Sequence, residues 1–357
     1  MFSVATNFDD ALPKRLQGLA VAELFGSCDQ TPVGHGRPRL LTPRVSWRRL
    51  EKHLRACRQA GIGFNLLLNP LCLGAQEESI GLERRLRRTL ARAVDSGVSA
   101  VTVAHPWLVT LARDYALRIR VSVFVGITTV EQARYWEELG CHVLTLDSHV
   151  LCRDLPRIRR IAQACQADVE LPVNIGCILR CPLARTHAAR LSHASLPGAQ
   201  PVDPCARWCL EEKRKDPVNL IRADFIRPED LEAYRAIGVK RFKIVDRSCS
   251  TEVLVQRVQA YAQRRWDGDL LELLGHRAGA PRPRRLPVLD AVRHLGIRGA
   301  LAALRQAPAL MSPTLPWVVD NRALVGVLLP GGCRGTNCDA CGHCAVLAAR
   351  AVRPRTA

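Results

Sequence analysis

A (β/α)8 barrel, TIM-like and extended at its C-terminus by a small cysteine-rich segment, is the fold class this sequence predicts. Three observations carry the prediction. Short apolar runs, often β-branched, recur eight times in the first 250 residues. Amphipathic helical stretches lie between most of them, the pattern of parallel strands joined by crossover helices. No Gly-x-Gly-x-x-Gly follows any run, so the runner-up, an open doubly wound sheet, gains no dinucleotide fingerprint.

The elements follow in order. VAELFGS (21–27) precedes the helical WRRLEKHLRACRQAG, and GFNLLLN (63–69) precedes LERRLRRTLARAVDSG. SAVTVAH (99–105) and RVSVFVG (120–126) come next, then the helix TVEQARYWEELG and the run HVLTLDS (142–148). LPRIRRIAQAC leads to VELPVNIG (169–176), NLIRADFI (219–226) is read as the seventh strand, and RPEDLEAYRAIG leads to KRFKIVD (240–246). Several helices stop at a glycine, as a left-handed C-cap requires. Eight such units fill residues 1–265 and match the barrel. Residues 266–330 read as a Pro-, Gly- and Arg-rich linker (GHRAGAPRPRRLP) and a helical piece, and 331–357 as a separate four-cysteine motif.

Composition narrows the function. The formal charge is +19, but arginines are spread along helix faces and only six of the 52 basic residues are lysine. With 5% aromatic residues there is little for a base-stacking platform. Nucleic acid is therefore a minor expectation as a partner. No apolar run approaches the roughly 20 residues of a membrane span, the first residues show no signal pattern, and a cytoplasmic protein is expected. Fifteen cysteines in such a protein point to metal or redox chemistry rather than disulfides. Cys57, Cys141, Cys152 and Cys165 stand singly and read as small buried hydrophobes, as do Cys72 and Cys249.

In a barrel, chemistry collects at the carboxyl ends of the strands. Those ends carry Glu23, Cys28, Asn69, His105, Asp147, Asn174, Cys177, Lys243, Asp246 and Arg247. From these, Asn69, His105, Asp147, Asn174, Lys243 and Arg247 are the catalytic candidates. Lys243 and Arg247, with Arg227 as a weaker third, are expected to hold an anionic substrate. Cys177, Cys181, Cys205 and Cys209 form Cys-x3-Cys-x23-Cys-x3-Cys within one βα loop. Two thiolate pairs suit an Fe–S cluster or zinc, and the three-residue spacing favours iron–sulfur. His187 and His193 in the intervening excursion read as substrate contacts or plain helix residues. His-Glu-x-x-His and Gly-x-Ser-x-Gly are absent, so no zinc or serine hydrolase motif supports proteolysis. The Cys-x3-Cys-x2-Cys loop of radical SAM enzymes is absent too.

The stretches NFDD, VAELFG, NIGCILRCP and RPEDLEAYRAIGVKRFKIVDRSCSTEVLVQRVQAYAQRR resemble the collagenase-like peptidase family, U-32, over about residues 2–265. The resemblance implies a barrel-like α/β core. It also implies a 4Fe–4S cluster on four cysteines, by position Cys177, Cys181, Cys205 and Cys209, with Cys28 the alternative ligand. It further implies oxygen-independent hydroxylation of RNA bases or of a quinone ring, with prephenate as oxygen source in some members.

The tail carries Cys333, Cys338, Cys341 and Cys344 as Cys-x4-Cys-x2-Cys-x2-Cys, four thiols within twelve residues. This spacing predicts a second Fe–S cluster or zinc, bound independently of the barrel and serving as an electron port. The sequence thus points to an Fe–S-dependent redox enzyme acting on a small molecule, peptide or nucleic acid and served by an electron donor protein. The alternatives are a non-catalytic Fe–S or zinc scaffold for a partner subunit, or a peptidase as the family name suggests.

Overall fold

The computed structural model describes residues 1–39, 42–77, 79–196, 204–246, 249–274, 315–333, 335 and 337–355, with positions 292, 296–298 and 300–301. Eight parallel strands close a barrel: β1 (Phe2–Ala5), β2 (Val21–Gly26), β3 (Gly63–Leu68), β4 (Ala100–Val103), β5 (Arg118–Val121), β6 (Val143–Thr145), β7 (Asp168–Pro172) and β8 (Arg241–Ile244). Each pairs with the next, and β1 closes on β8 through Phe2, Ser3 and Val4 against Phe242, Lys243 and Ile244.

The expected count of eight strands holds, but two of the assignments change. FSVA at the N-terminus is a barrel strand, so the run 21–27 is the second. NLIRADFI is not in the barrel: Val218–Ile221 is a short helix, and the residues after it run extended against the loop that follows β7. Its apolar residues Leu220, Ile221, Ala223 and Phe225 are buried in a different core, which is why the segment mimics a strand.

Local chemistry sets the helix ends. Ser46, Ser79, Thr129, Asp154 and Ser250 each accept a first-turn amide and start helices Trp47–Gln59, Ile80–Ser96, Val130–Glu138, Leu155–Ala164 and Thr251–Gln263. Gly97, at φ +92°, ends the second of these in the left-handed region. Inward stripes such as Leu82, Leu86, Leu90 and Ala93 pack the helices on the barrel. Cys57, Cys141, Cys152 and Cys165 are buried as expected of inert thiols, whereas Cys72 and Cys249, read the same way, are half-buried; Cys28, the alternative ligand, is buried too. Burial pushes Cys28 up to about 11, and Cys57 and Cys141 up to about 12.

The barrel interior is polar. Ser3, Glu23, Asn65, Thr102, Arg120, Thr145, Glu170 and Lys243, one from each strand, are all buried. Arg120 lies 3.0 Å from Glu23 and pairs with Glu170. Asn65 donates to Glu23 at 3.1 Å, Thr102 to Asn65 at 3.0 Å, and Thr145 to Glu170 at 2.9 Å. Lys243 Nζ stands 3.8 Å from Glu170 and 4.4 Å from the centroid of the Phe25 ring. Two cations and two carboxylates offset one another where no water reaches, which a buried charge requires.

A second core lies beside the barrel. Leu220, Ile221, Ala223 and Phe225 meet Leu270, Leu271 and Leu273, Leu324 and Val327, and Leu347, Ala348 and Ala351 of helix His343–Ala351. Strand β9 (Trp317–Val319) pairs antiparallel with β10 (Val352–Pro354) along its edge. The parts read from sequence as 266–330 and 331–357 therefore share one apolar core with the excursion after β7. The linker expected at 275–287 and most of the helical piece after it fall outside the described residues.

Candidate functional site

The loop after β7 builds a roof over the carboxyl mouth of the barrel. Helix Ala184–Ala194, which carries His187 and His193, ties down the loops after four strands. Arg185 meets Asp147 after β6 at 2.8 Å and donates to the Phe124 carbonyl after β5. Ser192 Oγ accepts the Leu71 amide after β3 at 2.8 Å, and Ser195 Oγ accepts the His35 amide after β2 at 2.8 Å. Gly36 is required here, because a Cβ would stand 2.2 Å from the Phe124 ring.

The cysteines hang from a closed ribbon below this roof. Gly176 and Asp224 bond through Gly176 N–Asp224 O at 2.7 Å, Asp224 N bonds Cys177 O at 2.7 Å, and Leu179 N bonds Arg222 O at 2.9 Å. The second pair arrives on helix Pro204–Lys215, where Cys205 and Cys209 are one turn apart. Lys213 of that helix is buried and donates to the Gly176 carbonyl, which seats Cys209 beside the first pair. Burial raises the Cys209 thiol, Lys213 opposes it, and the neighbouring Cys177 and Cys181 raise it further. All four cysteines are half-buried. Among the described residues no three His, Cys, Asp or Glu side chains form a ready cation cage.

His149, which follows β6, hydrogen-bonds Cys177. Its Nδ1 is 3.3 Å from Asp147 and 3.8 Å from Asp224. Burial favours the neutral ring, but Asp147, Cys177 and Asp224 outweigh it and lift its pKa well above the ordinary histidine range. Asp224 is fully buried, accepts from Ser148 at 2.9 Å and keeps Oδ1 without a partner. Burial raises it to about 6 against the pull of His149.

The sequence candidates are distributed as follows. Asp147 joins this cluster and caps the turn Ser148–Leu151. Asn69 donates to Ser122 at 2.9 Å at the mouth and leaves Oδ1 without a partner. His105 caps helix Pro106–Ala112 by accepting the Trp107 amide. Asn174 holds three backbone groups, Val245 N at 2.7 Å, Val245 O at 2.9 Å and Leu273 O at 3.0 Å. Lys243 and Glu23 lie in the polar interior, and Arg227 pairs with Asp230 at 2.8 Å. Arg247 lies outside the described residues. Cys28 packs in the main core, where burial is the chief cause of its raised thiol and no other cysteine acts on it among the causes of that shift.

Sequence reasoning did not single out His149, Asp224 or Lys213. His149 sits two residues past the strand-end Asp147 and could have been found by extending each strand-end by one turn; Asp224 was hidden by the strand reading of 219–226. One further constellation needs discounting. Thr6 Oγ1 is 2.9 Å from His53 Nε2, and His53 Nδ1 is 3.2 Å from Asp10, the order of a hydrolytic triad. Thr6 is fully buried and its hydroxyl accepts the Phe8 amide at 2.9 Å, so no substrate carbonyl can approach it. A cleft of about 520 Å³ between Arg113, Tyr115, Arg118 and His142 opens at the amino ends of β4 and β5, the face opposite the chemistry.

Comparison with known proteins agrees with this architecture. The chain is 27% identical over 322 residues to the uncharacterized protease MJ1657 of Methanocaldococcus jannaschii, covering 90% of this chain and 86% of that protein. The solved structure of the U32 peptidase Mk0906 superposes with a TM-score of 0.52 at 23% identity, covering 69% of this chain and 92% of that one, a likeness of fold. A sequence model of Peptidase family U32 matches residues 37–267, a span that holds six of the eight barrel strands and the whole cysteine loop, and on that match the chain belongs to Peptidase family U32.

Proposed function

We propose that this protein is an enzyme carrying an Fe–S cluster on Cys177, Cys181, Cys205 and Cys209, and that it modifies its substrate by oxygen-independent hydroxylation under the 184–194 roof. The observation that supports this most is the arrival of Cys209 beside Cys177 and Cys181, with Lys213 as the adjacent cation. The donor set fits the group: four half-buried thiols in one loop, soft ligands suited to iron. A bound cluster supplies a one-electron couple that a donor protein can recharge. The chain's own residues do the rest: Arg185 and Asp147 hold the roof closed, and His149 lies against the Cys177 sulfur. A small molecule, a peptide or a nucleic-acid base is the substrate class.

Purification without oxygen followed by iron and acid-labile sulfide analysis tests the reading. Four irons and four sulfides per chain should disappear from a Cys177→Ser, Cys181→Ser protein. Iron content unaffected by that change overturns the proposal.

One observation favours a second reading. Cys177 with His149 and Asp147 has the partners of a thiol nucleophile, and the names of the family and of both relatives speak of proteolysis. Here Cys177 is free of metal, and the iron-free protein should cleave peptides and lose that activity in Cys177→Ser alone.

A further inference from the structure

The tail cysteines face an unusual neighbourhood. Arg153 is 3% exposed, and its guanidinium contacts the Ile221 carbonyl at 2.5 Å, the Ala223 carbonyl at 3.2 Å and Cys344 Sγ at 3.6 Å. Arg180, between Cys177 and Cys181, reaches the Cys333 carbonyl at 2.5 Å and Cys333 Sγ at 3.6 Å. Neither arginine forms an ion pair with a carboxylate among the described residues. A buried guanidinium without an anion is costly. The Asp224 carboxylate acts on Arg153 only from beyond ion-pair distance; the groups that touch the two guanidinium heads and can take negative charge are the tail thiols, once deprotonated.

The backbone is shaped for the same contact. Cys333 N donates to Arg153 O at 2.7 Å. Gly335, at φ +62°, lets the Arg180 guanidinium lie on the loop, where a Cβ would come within 2.2 Å of it. Cys333 and Cys344 are half-buried on this face, while Cys338 and Cys341 are exposed beyond them at either end of a single turn. Arg222 approaches the same turn, 3.6 Å from Asp339.

We propose that Cys333, Cys338, Cys341 and Cys344 bind one tetrathiolate metal centre, zinc or an Fe–S cluster, whose negative charge is the counter-ion of Arg153 and Arg180. The motif is then no independent finger. Metal binding deprotonates the thiols, and their charge fixes the tail to the same loop that carries Cys177 and Cys181. The site stands whether or not the barrel cysteines hold a cluster.

The test uses the full chain, purified without oxygen, with metal and sulfide counted per chain. Cys338→Ser with Cys341→Ser alters exposed thiols only, so the fold should be kept, as the urea midpoint will report. This protein should lose one zinc, or one cluster's worth of iron and sulfide; Cys177→Ser with Cys181→Ser should keep that same quantity. Sulfide falling together with iron identifies a cluster, and zinc falling alone identifies the ion. Arg180→Met should release the tail metal to a chelator about tenfold faster, with Arg180→Lys restoring part of the difference. Unchanged metal content in Cys338→Ser/Cys341→Ser overturns the site, as does a Cys338–Cys341 disulfide in the anaerobic protein. Unchanged release from Arg180→Met overturns the counter-ion role.

Discussion

Glu170→Gln is the sharpest probe of the barrel interior. Glu170 is fully buried between Arg120, Lys243, Ser3 and Thr145. Burial by itself raises a carboxyl, but Arg120 and Lys243 outweigh it and hold Glu170 at about 2, against an ordinary 4.5. At ~1.4 kcal/mol per factor of ten, the ionised group contributes about 3 kcal/mol to stability. The folded value lies below the unfolded one, so that contribution is complete above about pH 5 and is lost as pH falls towards 2. Glutamine removes it and leaves two cations facing Glu23 alone, a broken buried pair of the kind that costs about 3–5 kcal/mol. Urea unfolding followed by far-ultraviolet circular dichroism at pH 7 should show that loss at an unchanged m-value. The difference from the parent should shrink steadily from about pH 5 towards pH 2, because the unfolded parent takes up a proton on this carboxyl that the folded protein still refuses. Replacing Arg120 by Met together with Glu170 by Leu should recover part of the loss, since one charge of each sign leaves. A loss under about 1 kcal/mol at pH 7, or one that acid does not reduce, refutes the reasoning.

Three further outcomes follow from the geometry. Asn174→Ala abandons three backbone groups and should lower stability by about 2–4 kcal/mol in the urea midpoint; a protein of parental stability that has lost turnover would instead give Asn174 a chemical role. Lys213→Met leaves the buried Gly176 carbonyl without its donor, at a cost of about 1–3 kcal/mol. It should expose Cys177 and Cys209 to thiol reagents roughly tenfold faster, read by timed labelling and mass spectrometry. Leu347→Ala cuts into the second core and should cost about 2–5 kcal/mol, with hydrogen exchange rising at residues 218–225 as well as in the tail helix; exchange confined to the tail would show that the two do not share a core.

The alternation of apolar runs and amphipathic helices was enough to read the barrel, because each strand is covered by helices and the runs are continuous. It failed where burial and strand formation part company. Leu220, Ile221, Ala223 and Phe225 are as buried as any barrel strand, yet they serve the second core. The four-residue β1 offers too short a run to stand out at the start of the chain. The polar interior was illegible for a different reason: Arg120 in RIRV and Glu170 in DVELP look like solvent-facing positions, and only closure of the sheet turns that face into an enclosed lumen. The cysteine pairs declared themselves by spacing. His149 and the arginine collar did not, because what brings them to the sulfurs is the folding back of 176–179 on 222–224, a pairing between segments some forty residues apart.

The seam between β1 and β8 has a consequence for how the chain is made. The two strands are about 240 residues apart in sequence, so during synthesis at roughly 5–20 residues per second the outer edge of β1 waits about 10–50 s for its neighbour. Through that interval the nascent sheet is an open ribbon with an unsatisfied row of amides and carbonyls, the condition under which strands recruit the wrong partner. An edge of four residues offers a poor template for such capture. The brevity that conceals β1 in the sequence thus protects the growing chain until β8 emerges to close it.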